Sequence, residues 1–381
     1  MMNKTILAVA AVASISAIVP LMAQASYAYV GTYNPNGEGV YRFILNAQGE
    51  LSGKTLVSQL PNQAQMVAST DGKHLYVASE TEKGSITAYQ IGTDGSLTAL
   101  NQVDTQGKGP VYLSLSPDQR YLMVANYVSG SITVFAVTPE GKLSEAVDHH
   151  QDSGPAGASK PAAAVEGSFA ISDHNGPHAH MVASDPTGKF VYSTDLGLDR
   201  IYQYHLNKDG TLTPGKPAWI NASSTGAGPR HFVFSAEGHA LWLVNEEAST
   251  LTHYLINPQS GALQEKATVS TLPAGYKGTS FAAGLVIDKA GKNLYVANRL
   301  HDSIAHFEVN ANGTLTHKDD VWTRGDYPRT LTLSPDGSMI YVMNQRSDNI
   351  TSFKVDKASG AINFTGNYVA VGAPSQMVIV P

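Results

Sequence analysis

Short runs of apolar, β-branched and aromatic residues alternate with polar ones along most of the chain, as in the SITVFAV segment at residues 131–137. Alternation over about four to eight residues is the period of a half-buried β-strand. Hairpin signals separate the runs, among them Asp94-Gly95, Asp209-Gly210, Asn312-Gly313 and Asp336-Gly337. No amphipathic helical period of useful length interrupts them. The pattern predicts an all-β chain.

The pattern also repeats. Residues 294–316 read LYVANRLHDSIAHFEVNANGTLT, and residues 122–144 read LMVANYVSGSITVFAVTPEGKLS. Taking the residue that closes each apolar run as an anchor gives Thr32, Ser79, Asn126, Asp195, Asn245, Asn298 and Asn344. The anchors are 46 to 53 residues apart except for one step of 69. Each unit has room for four strands, with one upstream of the anchor run and two after it. Four strands in about 50 residues is one blade of a β-propeller. A sandwich or a β-helix would not produce a four-strand repeat of this size. Seven units therefore predict a seven-bladed ring. The segment from Ala373 matches only a first strand, and the segment at Ala28 begins at a second strand. The last blade is thus expected to close with strands from both ends of the chain. The long step contains residues 148–177, rich in Gly, Ala, Pro and Ser, which read as a loop insertion, either a partial lid or a floppy excursion.

Lys4, an apolar run from Ile6 to Met22 and Ala23-Gln24-Ala25 have the form of a secretory signal peptide. The run is short for a membrane span and Pro20 breaks it. Cleavage would remove residues 1–25 and leave a propeller over 26–381. The expected location is periplasmic or secreted, with no membrane contact after cleavage. Zero cysteines exclude disulfides, Cys-ligated metal and a thiol nucleophile. A formal charge of −6 offers no basic footprint for nucleic acid. No nucleotide fingerprint or phosphate loop appears, so no cofactor is expected, and the protein is expected to be a monomer.

In a propeller, each blade's first strand begins and its second strand ends on the same face. Side chains at those positions crowd one mouth of the central channel. The first-strand positions are Ala64, Val111, His180, Arg230, Ala283, Arg329 and Ser375. The residues after the anchors are Tyr33, Glu80, Tyr127, Leu196, Glu246, Arg299 and Gln345. Packing alone would fill these sites with small or apolar groups. His180, Arg230, Glu246 and Arg299 instead gather charge in consecutive blades, with Asp195 between the first two. Such a cluster suits a small anionic or polyhydroxylated ligand, although a structural ring of salt bridges would use the same residue types. His231 is placed to support Arg230. His149, His150, His174 and His178 flank the long segment, but their spacing with His180 matches no tight metal motif. Asp199 and Arg200 read as a turn or an inter-blade pair.

Several segments carry a family resemblance: YVGTYN from Tyr29, GPHAHMVASDPTGKFVYSTDLGLDRIYQY from Gly176, GPRHFVFS from Gly228, VNEE from Val244, ANRLHDSIAHF from Ala297 and YPRTLTLSPDG from Tyr327. Together they resemble the seven-bladed propeller lactonases, which include bacterial 6-phosphogluconolactonases and fungal carboxymuconate lactonising enzymes. The resemblance implies a lactone hydrolase in which His180, Arg230, Glu246 and Arg299 act. The arginines would hold substrate oxygens while Glu246 or His180 activates water. Asp195, Arg329, His178 and His231 would contact or orient the substrate, a sugar or sugar-acid lactone. Two departures stand out. Only Ser153-Gly154-Pro155 remains of a compact Gly-Ser-Gly-Pro stretch, and the apolar leader points away from cytoplasmic phosphosugars. The alternatives are a non-catalytic ligand-binding propeller and a cycloisomerase acting on an unsaturated dicarboxylate.

Overall fold

The second strands are buried on both faces and most are apolar at nearly all positions, as in Tyr121–Asn126, Ala240–Asn245 and Met339–Asn344. Outer strands such as Leu51–Ser58 and Leu315–Trp322 are largely exposed and carry the alternating polar residues. The computed structural model describes residues 26–162, 164, 166–167 and 173–380. The expected signal peptide, residues 1–25, lies outside the described residues.

Among the described residues, 28 strands form seven four-stranded sheets and there is no helix. All pairings within the sheets are antiparallel, and the first strands touch one another in a closed circle. This is a seven-bladed β-propeller. Blade 1 runs from the innermost strand outward as Pro374–Val380, Ser26–Thr32, Val40–Leu45 and Leu51–Ser58. Its inner pair joins the two ends of the chain, with Tyr27 opposite Val380 and Val30 opposite Met377. Blades 2 to 7 follow in chain order. Their innermost strands are Gln65–Ala68, Pro110–Leu115, Ala179–Ser184, Pro229–Phe234, Ala282–Ile287 and Pro328–Leu333.

The core is divided among the blade boundaries. Seven apolar clusters each draw on two neighbouring blades; Met181, Tyr192, Phe232 and Leu243, for example, join blades 4 and 5. An aromatic residue in the middle of the second strand adds a polar tie to the next blade. Tyr29, Tyr192, Tyr295 and Tyr341 donate their hydroxyls to the turn carbonyls of Gly95, Gly261, Gly360 and Gly49 at 2.7–2.9 Å, and Trp242 Nε1 donates to Gly313 at 3.0 Å. The turn glycines have positive φ, which brings their carbonyls to the aromatic tip. The recurring tyrosines are therefore inter-blade core.

The long segment starts later than the sequence indicated. Asp148, His149, His150 and Gln151 continue the outer strand Leu143–Gln151, paired with Val134, Thr133, Ile132 and Ser131. The polar DHHQ run conceals a solvent-facing strand edge, and the connection proper begins at Asp152. Its described parts are fastened down. Gly157 N–H donates to Gly197 O at 2.7 Å and Ala162 N–H to Thr225 O at 2.9 Å.

Tyr341→Phe removes the hydroxyl that ties blade 7 to the blade formed by both chain ends. A loss of about 1 kcal/mol in urea denaturation is expected. Tyr76 is equivalent in blade 2 but donates no such bond among the described residues, so Tyr76→Phe is expected to leave the midpoint nearly unchanged.

Candidate active site

The sheet ladder slips at one place in blade after blade. Val111, His180, Arg230, Arg329 and Ser375, each second in its innermost strand, are skipped by the pairing, and in blade 6 Ala283 and Gly284 are skipped. A β-bulge leaves one residue unpaired and re-aims its side chain. A second device, present in all seven blades, fixes the mouth position of the innermost strand against its partner position. The N–H groups of Tyr33, Glu80, Tyr127, Leu196, Glu246, Arg299 and Gln345 donate to Ala373, Asn62, Gly109, His178, Gly228, Phe281 and Tyr327 at 2.7–3.1 Å. Each acceptor lies two residues before the mouth residue of the innermost strand. The two sets of positions expected from the sequence therefore meet in all seven blades.

Within this ring the structure brings together four of the expected residues. Glu246 Oε2 lies 2.7 Å from Arg230 Nε and 2.6 Å from Arg299 Nη2. Arg230 is only 1% exposed. Burial and the charge of Arg299 press its pKa down to about 9, with Glu246 acting in the opposite direction, so it remains protonated at neutral pH. His180 is buried beside these groups. Burial, then Arg230, Arg329 and Arg299, hold its pKa well below the usual histidine value, so the imidazole is neutral. His180 Nδ1, Arg299 Nε and Arg329 Nε are buried with no hydrogen-bond partner among the described residues. Buried polar atoms without partners are uncommon in folded chains and point to a place where a ligand or water completes them.

Arg329 belongs to a second group across the ring. Its guanidinium lies over the Tyr33 ring, 5.2 Å from the centroid, and Tyr33 Oη donates to Glu80 Oε2 at 2.6 Å. Burial is the main influence on Glu80 and raises its pKa, against the pull of Arg329, Tyr33 and Arg230. Two aromatic residues that the sequence reading passed over hold Arg299: its guanidinium is 5.0 Å from the Phe281 centroid and 5.2 Å from that of Tyr327. Both occupy the acceptor position before the bulge, which is Gly in blades 3 and 5. A large ring where the repeat tolerates glycine was the available signal. Tyr327 is also held at a φ of 63°, rare for an aromatic residue, with its N–H bound to Asp302 Oδ1 at 2.9 Å.

The remaining expected residues stand behind the ring. Asp195 is fully buried, and its Oδ1 accepts the N–H groups of His178 at 2.9 Å and Leu198 at 2.8 Å. Burial and the facing Asp195 carboxylate raise the pKa of Asp152. The structure thus gives Asp195 a backbone-holding place. His178 has both ring nitrogens engaged, with Tyr127 O and Asn175 Oδ1, and stacks on the Tyr127 ring. His231 accepts from Arg230 Nη1 at 3.2 Å and packs edge-on to Tyr112 and His180. Asp199 links blades by accepting Gly226 N–H at 2.7 Å and Gly228 N–H at 2.9 Å, while Arg200 stacks on Trp219.

The other histidines are dispersed. His149 bonds Thr133, His150 bonds Asp148, and His174 pairs with Glu247. Among the described residues no group of three or more His, Asp or Glu side chains is placed to hold a metal ion. Asp173 accepts from Tyr127 Oη at 3.1 Å, so the end of the long connection is fixed between Tyr127 of blade 3 and Glu247 of blade 5 at the edge of the mouth.

The family model described as "Lactonase, 7-bladed beta-propeller" matches residues 27–379. The chain belongs to this lactonase family. The 6-phosphogluconolactonase of Bacillus subtilis (strain 168) is 31% identical over 351 residues, covering 91% of this chain and 96% of that protein. A protein named 6-phosphogluconolactonase in Formosa agariphila is 27% identical, covering 92% and 98%. The solved structure of a periplasmic gluconolactonase from Pseudomonas aeruginosa superposes with a TM-score of 0.85 at 30% identity, covering 94% of this chain and 99% of that one. These lactonases share the whole ring of blades with this chain.

Two outcomes follow from the geometry. Gly228 has a φ of +68°, and a Cβ there would sit 2.9 Å from Glu247 Oε2. Gly228→Ala is expected to cost about 1–2 kcal/mol from backbone strain. It also displaces the carbonyl that holds Glu246, so any activity of the mouth should fall further than stability does; calorimetry with turnover assays checks this. Burial, the largest influence on His174, lowers its pKa, but the hydrogen bond and charge of Glu247 with that of Asp199 raise it overall. A raised folded pKa adds stability that is fully present below about pH 6.5 and is lost as pH rises through the folded value. The melting difference between wild type and His174→Gln is therefore expected to be larger at pH 6 than at pH 9.

Proposed function

We propose that the protein is an exported hydrolase of a sugar or sugar-acid lactone. The observation that carries this reading is the Arg230–Glu246–Arg299 cluster in a mouth where further guanidinium and imidazole nitrogens lack partners among the described residues. Hydrolysis of a lactone moves negative charge onto the carbonyl oxygen as water adds, and guanidinium N–H groups preset around that oxygen stabilise it without reorganising. Glu246 holds two cations together that would otherwise repel, so the arginines meet the substrate already aligned. Neutral His180 is suited to hydrogen-bond a ring hydroxyl or the attacking water. The relatives named 6-phosphogluconolactonase and the periplasmic gluconolactonase support lactone chemistry at this mouth. The apolar segment before Ala23-Gln24-Ala25 supports export, which favours an unphosphorylated sugar lactone as substrate.

The test is pH-stat hydrolysis of gluconolactone and of its 6-phosphate, with spontaneous ring opening subtracted. Wild type should accelerate at least one of them, with gluconolactone preferred. An Arg230→Ala, Glu246→Gln double variant should lose most of that acceleration. Equal rates for the two proteins would overturn the proposal, and ligand-induced thermal stabilisation without turnover would indicate a binding propeller instead. Release of the leader in cells would be seen as a mature N-terminus near Ser26.

A further inference from the structure

The ring carries two carboxylates, and they are held in opposite ways. Glu246 is committed through Oε2 to two guanidinium groups. Glu80 lies in blade 2, where the residue opposite it at the mouth is Ala64, just ahead of the innermost strand, and offers no side-chain partner. Its Oε2 accepts the Tyr33 hydroxyl at 2.6 Å. Among the described residues Oε1 accepts no hydrogen bond. We propose that Glu80 is the proton-transfer group of this mouth, positioned by Tyr33, and that Glu246 serves to align the arginines. The inference rests on the lactonase reading above.

Hydrolysis needs a group that can gain a proton and then return it. His180 is ill suited, because an imidazolium there would face Arg230, Arg329 and Arg299 while buried. Glu80 becomes neutral when it takes a proton, which burial favours. The charged and titratable groups facing it are Tyr33 from blade 1, Arg329 from blade 7 and Arg230 from blade 5. In the step, a water oxygen forms a bond to the lactone carbonyl carbon while its proton passes to Glu80 Oε1. The carbonyl π pair moves to oxygen, held by guanidinium N–H groups. The carbonyl then re-forms as the bond from carbon to the ring oxygen breaks, and that oxygen leaves with the proton from Glu80. One lactone and one water give one hydroxy acid, and Glu80 is again a carboxylate.

The test compares the full-length wild type with Glu80→Gln, Tyr33→Phe and Glu246→Gln on a lactone the wild type hydrolyses, with circular dichroism and melting to establish folding. Glu80→Gln is expected to lower kcat by about 10²–10⁴-fold with KM changed only a few-fold. The wild-type rate should fall as pH drops through the raised value of Glu80, and Glu80→Gln should lose that limb. Tyr33→Phe removes a hydrogen bond that favours the carboxylate and positions it, so it should move the acid limb to higher pH and lower the plateau rate by less than Glu80→Gln does. Glu246→Gln should raise KM and retain the limb. A Glu80→Gln protein that is folded and turns over within three-fold of wild type, or a limb that disappears in Glu246→Gln instead, overturns the assignment while leaving the lactonase reading intact. A wild type inactive on every lactone tried overturns the lactonase reading and this assignment with it.

Discussion

In each blade, one backbone hydrogen bond joins the residue after the second strand to the carbonyl two residues before the mouth residue of the innermost strand. The rest of the mouth depends on that bond. It brings a side chain from the start of one strand beside a side chain from the end of its neighbour, and the ring repeats this seven times. The strands themselves are held by apolar clusters at the blade boundaries, which contain none of the charged residues of the mouth. Stability and chemistry are therefore supplied by different parts of each blade.

That separation matters because the mouth is electrostatically costly. Arg230, Arg299 and Glu246 are almost fully buried, and taking such charges out of water costs several kcal/mol each before pairing offsets it. A cluster of this kind is weak evidence for stability and stronger evidence for a task. The surrounding tethers point the same way. Asp199 holds Gly226 and Gly228, Gly228 holds Glu246, and Asp195 holds His178, so carboxylates behind the ring fix the backbone that presents the charges in front. Phe281 and Tyr327 flank Arg299 with aromatic faces and restrict where its guanidinium can lie.

Much of this was legible in the sequence, because a propeller repeats its own pattern. The anchors gave seven blades and the closure by both chain ends, and alignment of the units placed His180, Arg230, Glu246 and Arg299 together. Asp195 was read as a residue that contacts substrate or orients a neighbour, and its hydrogen bonds to the His178 and Leu198 backbone were not legible in the sequence. The sequence aligned it with Asn126, Asn245, Asn298 and Asn344, but only the structure shows that those amides tie second and third strands. His149 and His150 were assigned to a loop because a polar run on an outer strand has no apolar face to announce it. The importance of Phe281, Tyr327 and the Tyr33–Glu80 bond was hidden for another reason. Each depends on contact between blades distant in sequence, which no local period records.

The bulge has one further consequence. A residue skipped by the ladder contributes no pairing of its own, so its side chain can change without disturbing the hydrogen bonds on either side. Val111, Ala283 and Ser375 occupy bulged places equivalent to those of His180, Arg230 and Arg329, and the sheets around them are alike. The ring is in this sense a holder with interchangeable places. Its charge and shape can be rewritten one blade at a time while the fold that presents them stays constant, which makes the scaffold well suited to acquiring new substrates by substitution at very few positions.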